Sequence, residues 1–136
     1  MALIEWSDSM SVKIPSIDEQ HKKLIEMVNT LHEGIAKGNS KEVLVDVFDG
    51  LAEYTVEHFG YEEKFFKEFD YEDSEKHISE HQDLVQQVVE LKQKLDNEEG
   101  FMFGLEVMDF LKNWLTEHIM GSDMDYSSFL VSKDVK

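Results

Sequence analysis

The chain has 136 residues, 41% of them hydrophobic, and carries 30 acidic against 13 basic side chains for a formal net charge of -17. That length supports one domain with a real core, while the charge disfavours nucleic acid and anionic membranes as partners, since both call for basic patches. Cysteine is absent, which excludes disulfides, thiolate metal sites and cysteine nucleophiles, and no apolar run approaches the roughly 18 residues of a membrane span.

Residues 1–15 read as an extended N-terminal arm holding Trp6. Helix one starts at Pro15, where Ser16 and Glu19 offer a capping box, and Gly38 is its stop. Its apolar ladder is Ile17, His21, Leu24, Val28, Leu31, Ile35. Asn39 or Ser40 caps helix two, which runs to about Phe69 with the ladder Leu44, Phe48, Leu51, Thr55, His58, Glu62, Phe65, Phe69. Asp73 or Ser74 caps helix three, which fades at Asn97 ahead of Gly100 and carries His77, His81, Leu84, Val88, Leu91, Leu95. Helix four runs from about Phe101 to Met120 with the ladder Met108, Leu111, Leu115, His118, and Gly121 is its stop. Residues 127–136 read as a tail, polar beyond Leu130. The connections are only a few residues long, which favours antiparallel neighbours. The expected fold is all-α, an up-down-up-down four-helix bundle over 16–126 within a single 1–136 domain, in a reducing cytoplasm with no signal peptide.

Steps of four and three mark the buried seam of a bundle helix. Five of the six histidines and Glu62 occupy such steps, so imidazoles and a carboxylate point into an apolar core. A buried carboxylate without a partner is costly, and a cation is the usual relief. Singly, each residue has an ordinary explanation. A lone seam histidine is more often a satisfied core residue, an i, i+4 pair such as His77 and His81 arises by chance on many helices, and Glu62 could face a lysine. Taken together they do not. In an antiparallel bundle the starts of helices one and three share an end with the finishes of two and four. His21, His58, Glu62, His77, His81 and His118 then fall within about 10 Å of one level, and Asp123, just past Gly121, can fold back under it. His32 shares a face with His21 but lies about 16 Å along the axis, and is read as an ordinary histidine. Gly60 faces away from the seam.

Imidazole and carboxylate without sulfur suit iron, manganese, zinc or copper. Seven candidate ligands exceed one six-coordinate ion, so two ions are implied. If both carboxylates bridge and one oxo or hydroxo group is shared, a single position stays open. A small molecule fits such a vacancy and an organic substrate does not. Phe59, Phe65, Phe66 and Trp114 read as core aromatics that would make a dry wall around it.

Asp18-Glu19-Gln20-His21, His58-Phe59 with Glu62-Glu63, His77-x3-His81 and Trp114-Leu115-x2-His118-Ile119-x3-Asp123 together resemble the hemerythrin family, in its bacteriohemerythrin branch. The resemblance runs from Trp6 to Tyr126. It implies two non-haem Fe ions with a bridging oxo or hydroxo group and O2 as the reversible ligand. One iron would take His77, His81 and His118, the other His21 and His58, with Glu62 and Asp123 bridging. The iron on His21 and His58 would bind O2 as hydroperoxide, both irons becoming ferric, and Phe59, Trp114 and Ile119 would wall the pocket. Met124 stands where a lysine is common, and the loop before His77 lacks a common proline. The function implied is oxygen carriage, storage or delivery, with no catalytic residues. An O2-sensing module, fused to or docking with a signalling or oxygenase partner, is the alternative. A di-iron oxidase or peroxidase is a weaker one, because ferritin-like sites use Glu-x-x-His motifs where helix three has His77-x3-His81.

Overall fold

A computed structural model describes residues 4–38, 41–97 and 101–136, with side-chain surroundings for all of these except 41, 94–97 and 101–108. Four helices carry the fold: α1 (Pro15–Ala36), α2 (Lys41–Glu68), α3 (Ser74–Asn97) and α4 (Phe101–His118). A π-helical turn, Ile119–Asp123, leads on into α5 (Met124–Ser132). The long helices pack α1 on α2, α2 on α3, α3 on α4 and α4 back on α1, which closes the expected antiparallel bundle. No helix among the described residues is long and apolar enough to cross a membrane.

The helix ends show how local chemistry sets the boundaries. Gly38 stops α1 in the left-handed region at φ 72, where its N–H donates to the Ile35 carbonyl. A side chain is strained at such a φ, so glycine belongs there. Asp70 and Asp134 adopt the same conformation after α2 and α5. The next residues close the turns, with Tyr71 N–H donating to the Phe66 carbonyl and Val135 N–H to that of Leu130. Both pairs lie in one buried apolar cluster, and the Phe66 and Tyr71 rings pack 5.1 Å apart, the apolar contact that accompanies this helix stop. The cap positions Asn39, Ser40 and Gly100 lie outside the described residues, as do the side chains of Leu95 and Met108.

Three expectations are corrected. The capping box does not form: Ile14 precedes α1, and no side chain caps it. Ser16 Oγ instead accepts the Tyr61 hydroxyl at 2.8 Å. Asp18 is drawn to the arm, accepting Val12 N–H at 2.9 Å and Ser11 Oγ–H at 2.6 Å. Gly121 does not stop the fourth helix, which widens into the π turn and continues. The stretch expected as a tail is helical as far as Ser132, because Tyr126, Leu130 and Val135 are buried against Val12, Ile14, Ile17 and Phe66 and hold it to the bundle.

The core divides into two apolar clusters. One gathers Leu24, Val28, Phe48, Phe59, Leu111, Trp114 and Ile119 with their neighbours; the other gathers Ile17, Phe66, Tyr126 and Leu130 with theirs. Stretches of α1, of α2 and of the turn after α4 cross from one to the other, and each passes a polar residue on the way. His21 lies between Ile17 and Leu24, Glu62 between Phe59 and Phe66, and Asp123 between Ile119 and Tyr126. A buried polar layer therefore sits between two dry ones.

Candidate metal centre

The layer consists of His21, His58, Glu62, His77, His81, His118 and Asp123, none more than 8% exposed, with His21, Glu62 and Asp123 at 0%. Seam spacing explains all but Asp123. In a regular α-helix a residue five beyond His118 would point about 140° away from it. The π turn, whose hydrogen bonds run from i to i+5, places the fifth residue back over the first. The wide turn is thus what puts Asp123 beside His118.

The two carboxylates lie between two groups of imidazoles and divide their oxygens between them. Asp123 Oδ1 is 3.0 Å from His77 Nε2 and 3.2 Å from His118 Nε2, and its Oδ2 is 3.0 Å from His21 Nε2. Glu62 Oε1 is 3.1 Å from His81 Nε2 and 3.8 Å from His77 Nε2. Its Oε2 is 3.6 Å from His21 Nε2 and 3.5 Å from His58 Nε2. Two donor sets result, Glu62–His77–His81–His118–Asp123 and His21–His58–Glu62–Asp123, each with its ligand atoms within 4.8 Å of one another.

The residues fit a pair of cations. Nε2 of His21, His77, His81 and His118, both Asp123 oxygens and Glu62 Oε1 are buried without a hydrogen-bond partner. Unpaired buried polar atoms cost about 1–3 kcal/mol each, and here they all face one another. Hard carboxylate oxygens mixed with imidazole nitrogens and no sulfur are the donor chemistry of first-row ions such as iron.

In the absence of a cation, the charges settle unevenly. Burial lowers the basicity of His21, but the Asp123 and Glu62 carboxylates close to its Nε2 carry its pKa up to about 9. At His58 burial wins and pushes it down to about 4. His118 is raised against its burial, chiefly by Asp123. Burial works to raise Asp123, yet His118, His21 and His77 hold it well below the usual carboxylate range. Glu62 is lowered likewise, against burial and the Asp123 charge, by His58, His21 and His81. Both carboxylates are therefore ionised and ready for a cation.

Several partners around the layer escaped the sequence reading. Tyr126 donates its buried hydroxyl to Glu62 Oε2, and burial followed by the two carboxylates pushes its pKa up, so it stays a donor. It follows Asp123 by three residues on a helix, a spacing that could have flagged it. Gln20 Oε1 lies 2.6 Å from His58 Nδ1, and Glu63 Oε2 2.9 Å from His81 Nδ1. Each is the sequence neighbour of one ligand candidate but serves a histidine on the next helix. The seam places Glu63 about 100° from Glu62, and that rotation is what aims it at α3.

Phe59 stacks flat on His81, centroids 3.8 Å apart at 4°, and stands 5.9 Å from the His58 ring and 6.2 Å from Trp114. Ile119 is fully buried in the same apolar cluster. An open cleft of about 470 Å³ between α3 and α4 reaches Trp114 and His118 from outside. His32 is half-buried and belongs to neither donor set.

The model of the hemerythrin HHE cation-binding domain matches residues 12–130. A bacteriohemerythrin of Methylococcus capsulatus is 33% identical over 131 residues, covering 96% of this chain and 98% of its own. One from Pseudomonas paraeruginosa is 32% identical over 126 residues, 93% of this chain and 80% of that protein. A hemerythrin-like protein of Naegleria gruberi is 33% identical, covering 92% of each. Among solved structures, a wild-type hemerythrin crystal structure superposes with a TM-score of 0.84 at 31% identity, covering 93% of this chain and 97% of that one. On sequence and fold alike, the chain belongs to the hemerythrin family of HHE cation-binding domains.

Proposed function

We propose that this protein binds O2 reversibly at two non-haem iron ions, in the service of oxygen carriage, storage or delivery. The observation that carries the reading is the split of Glu62 and Asp123, each giving one oxygen to the His77–His81–His118 side and the other to the His21–His58 side. Two carboxylates set in that way suit bridging ligands of an ion pair. His77, His81 and His118 would hold one iron, and His21 and His58 the other, with an oxo or hydroxo group completing the bridge. Iron bound there supplies electron exchange with O2.

The chain's own groups do the rest. Tyr126 fixes the orientation of Glu62 by its hydrogen bond. Gln20 and Glu63 set the ring orientation of His58 and His81 through their outer nitrogens. Phe59, Trp114 and Ile119 form a water-excluding wall, which disfavours escape of a charged oxygen species and entry of anions.

The test is an absorbance spectrum of dithionite-reduced protein before air, after air and after argon. A visible band that appears with O2 and vanishes on its removal is expected. A change that argon does not reverse would mean oxidation in place of oxygen binding.

A further inference from the structure

The outer nitrogens of the site histidines meet unlike surroundings on the two sides of the centre. On the three-histidine side, His81 Nδ1 faces the Glu63 carboxylate at 2.9 Å. His118 Nδ1 lies 3.9 Å from Glu80 Oε2, beyond a direct hydrogen bond but within easy Coulombic reach. Glu80 is itself steadied there by the hydroxyl of Ser122, from within the π turn. On the two-histidine side, His58 Nδ1 faces only the neutral amide oxygen of Gln20 at 2.6 Å. His21 Nδ1 is buried with no hydrogen-bond partner among the described residues. Among the described residues, carboxylates stand behind His81 and His118, and none is within ion-pair distance of the outer nitrogen of His58 or His21.

A carboxylate accepting an imidazole N–H makes the opposite nitrogen a stronger donor to whatever it ligates. A fixed negative charge nearby also favours the higher charge state of a metal, more strongly in a poorly solvated site. We infer that Glu63 and Glu80, against Gln20, make the two metal positions electronically unequal. The ion on His77, His81 and His118 is the harder to reduce, and the ion on His21 and His58 keeps its electron more readily. Glu63, Glu80 and Gln20 are positioning and tuning residues in this role, since none belongs to either donor set. The inference rests on the two-iron reading above and adds an order of reduction to it.

The experiment is an anaerobic redox titration of the iron-loaded full chain, with dithionite as electron source and mediators, followed by visible absorption and by the EPR signal of the half-reduced state. Glu63→Gln keeps the shape and removes the charge, so it should raise the lower of the two one-electron midpoints and leave the upper nearly unmoved. Gln20→Glu should lower the upper midpoint and leave the lower nearly unmoved. Both variants therefore narrow the gap, from opposite sides. Glu57→Gln, an exposed charge beside His58 in sequence, should move the two midpoints together and only slightly. Loss of an outer partner commonly weakens metal affinity by about tenfold to a hundredfold, so the variants are loaded with excess iron and counted. If Glu63→Gln will not hold iron, Gln20→Glu carries the test, because it subtracts no contact. Midpoints that move together in both variants, or match those of the parent, would overturn the asymmetry. So would loss of iron from both, which would make these residues holders of the site and not its tuners. The titration needs no O2: a parent with fewer than two irons fails the functional reading, while a two-iron parent with insensitive midpoints fails only this one.

Discussion

Glu62 and Asp123 stand on α2 and in the π turn, yet each turns one oxygen to His77 and the other to His21, at separations between 3.0 and 3.8 Å. That shared division makes each carboxylate common to both donor sets. Glu62→Ala should therefore cut iron from two per chain to one or fewer. Glu63→Ala, which removes only the partner of His81 Nδ1, should keep both ions when iron is in excess. Iron analysis and visible spectra of the two variants check this, and equal losses would contradict the shared role of Glu62.

Iron loading should release protons at neutral pH. Without a cation, the pKa of His21 is raised to about 9 from an ordinary value of 6.5, so the ring is protonated at pH 7 and must give up that proton to bind metal. The sign for stability follows. A raised pKa in the fold stabilises the metal-free protein fully below pH 6.5, and this contribution is lost as pH rises through 9. His58, lowered to about 4, works the other way: its contribution is full above 6.5 and is lost as pH falls towards 4. Titration calorimetry in buffers of different ionisation enthalpy should show proton release at pH 7 that shrinks near pH 9.5. Equal release at both values would show that His21 is not protonated beforehand.

Chelation should lower the melting temperature substantially. Seven buried polar atoms without partners face one another in the metal-free layer, and cations bound only by the folded chain stabilise it by mass action, about 4 kcal/mol at a thousandfold excess over Kd. Calorimetric scans with and without chelator measure the difference. Coincident melts would show a core that does not need metal.

Ile119 is fully buried beside Trp114 and Phe59 and directly follows His118. Ile119→Ala should cost about 2–5 kcal/mol of stability as a large-to-small core change. By opening the wall to water it should also speed loss of the oxygenated band, and Ile119→Glu should speed it further. Stopped-flow mixing with O2 separates the effects: a variant that melts lower but decays at the parent's rate makes Ile119 packing alone.

The layer was legible in sequence because each long helix announces its own buried face. His21, His58, Glu62, His77, His81 and His118 sit at steps that periodicity can read one helix at a time. From sequence, Asp123 joins the layer only through a turn after Gly121, whereas a π turn within a continuing helix delivers it. The hydrogen bonds that lead to Gln20, Glu63 and Glu80 were hidden for another reason. They depend on how one helix is rotated against the next, which no single-helix pattern encodes. The arm shows the same limit. Asp18 and Ser16 have the residue types of a helix cap, but Val12 and Tyr61 reach them first.

The most direct measurement is anomalous diffraction from crystals of the iron-loaded protein at the iron edge. Two peaks are expected, one among Glu62, His77, His81, His118 and Asp123 and one among His21, His58, Glu62 and Asp123. A single peak, or iron lying outside these donor sets, would contradict the two-ion centre.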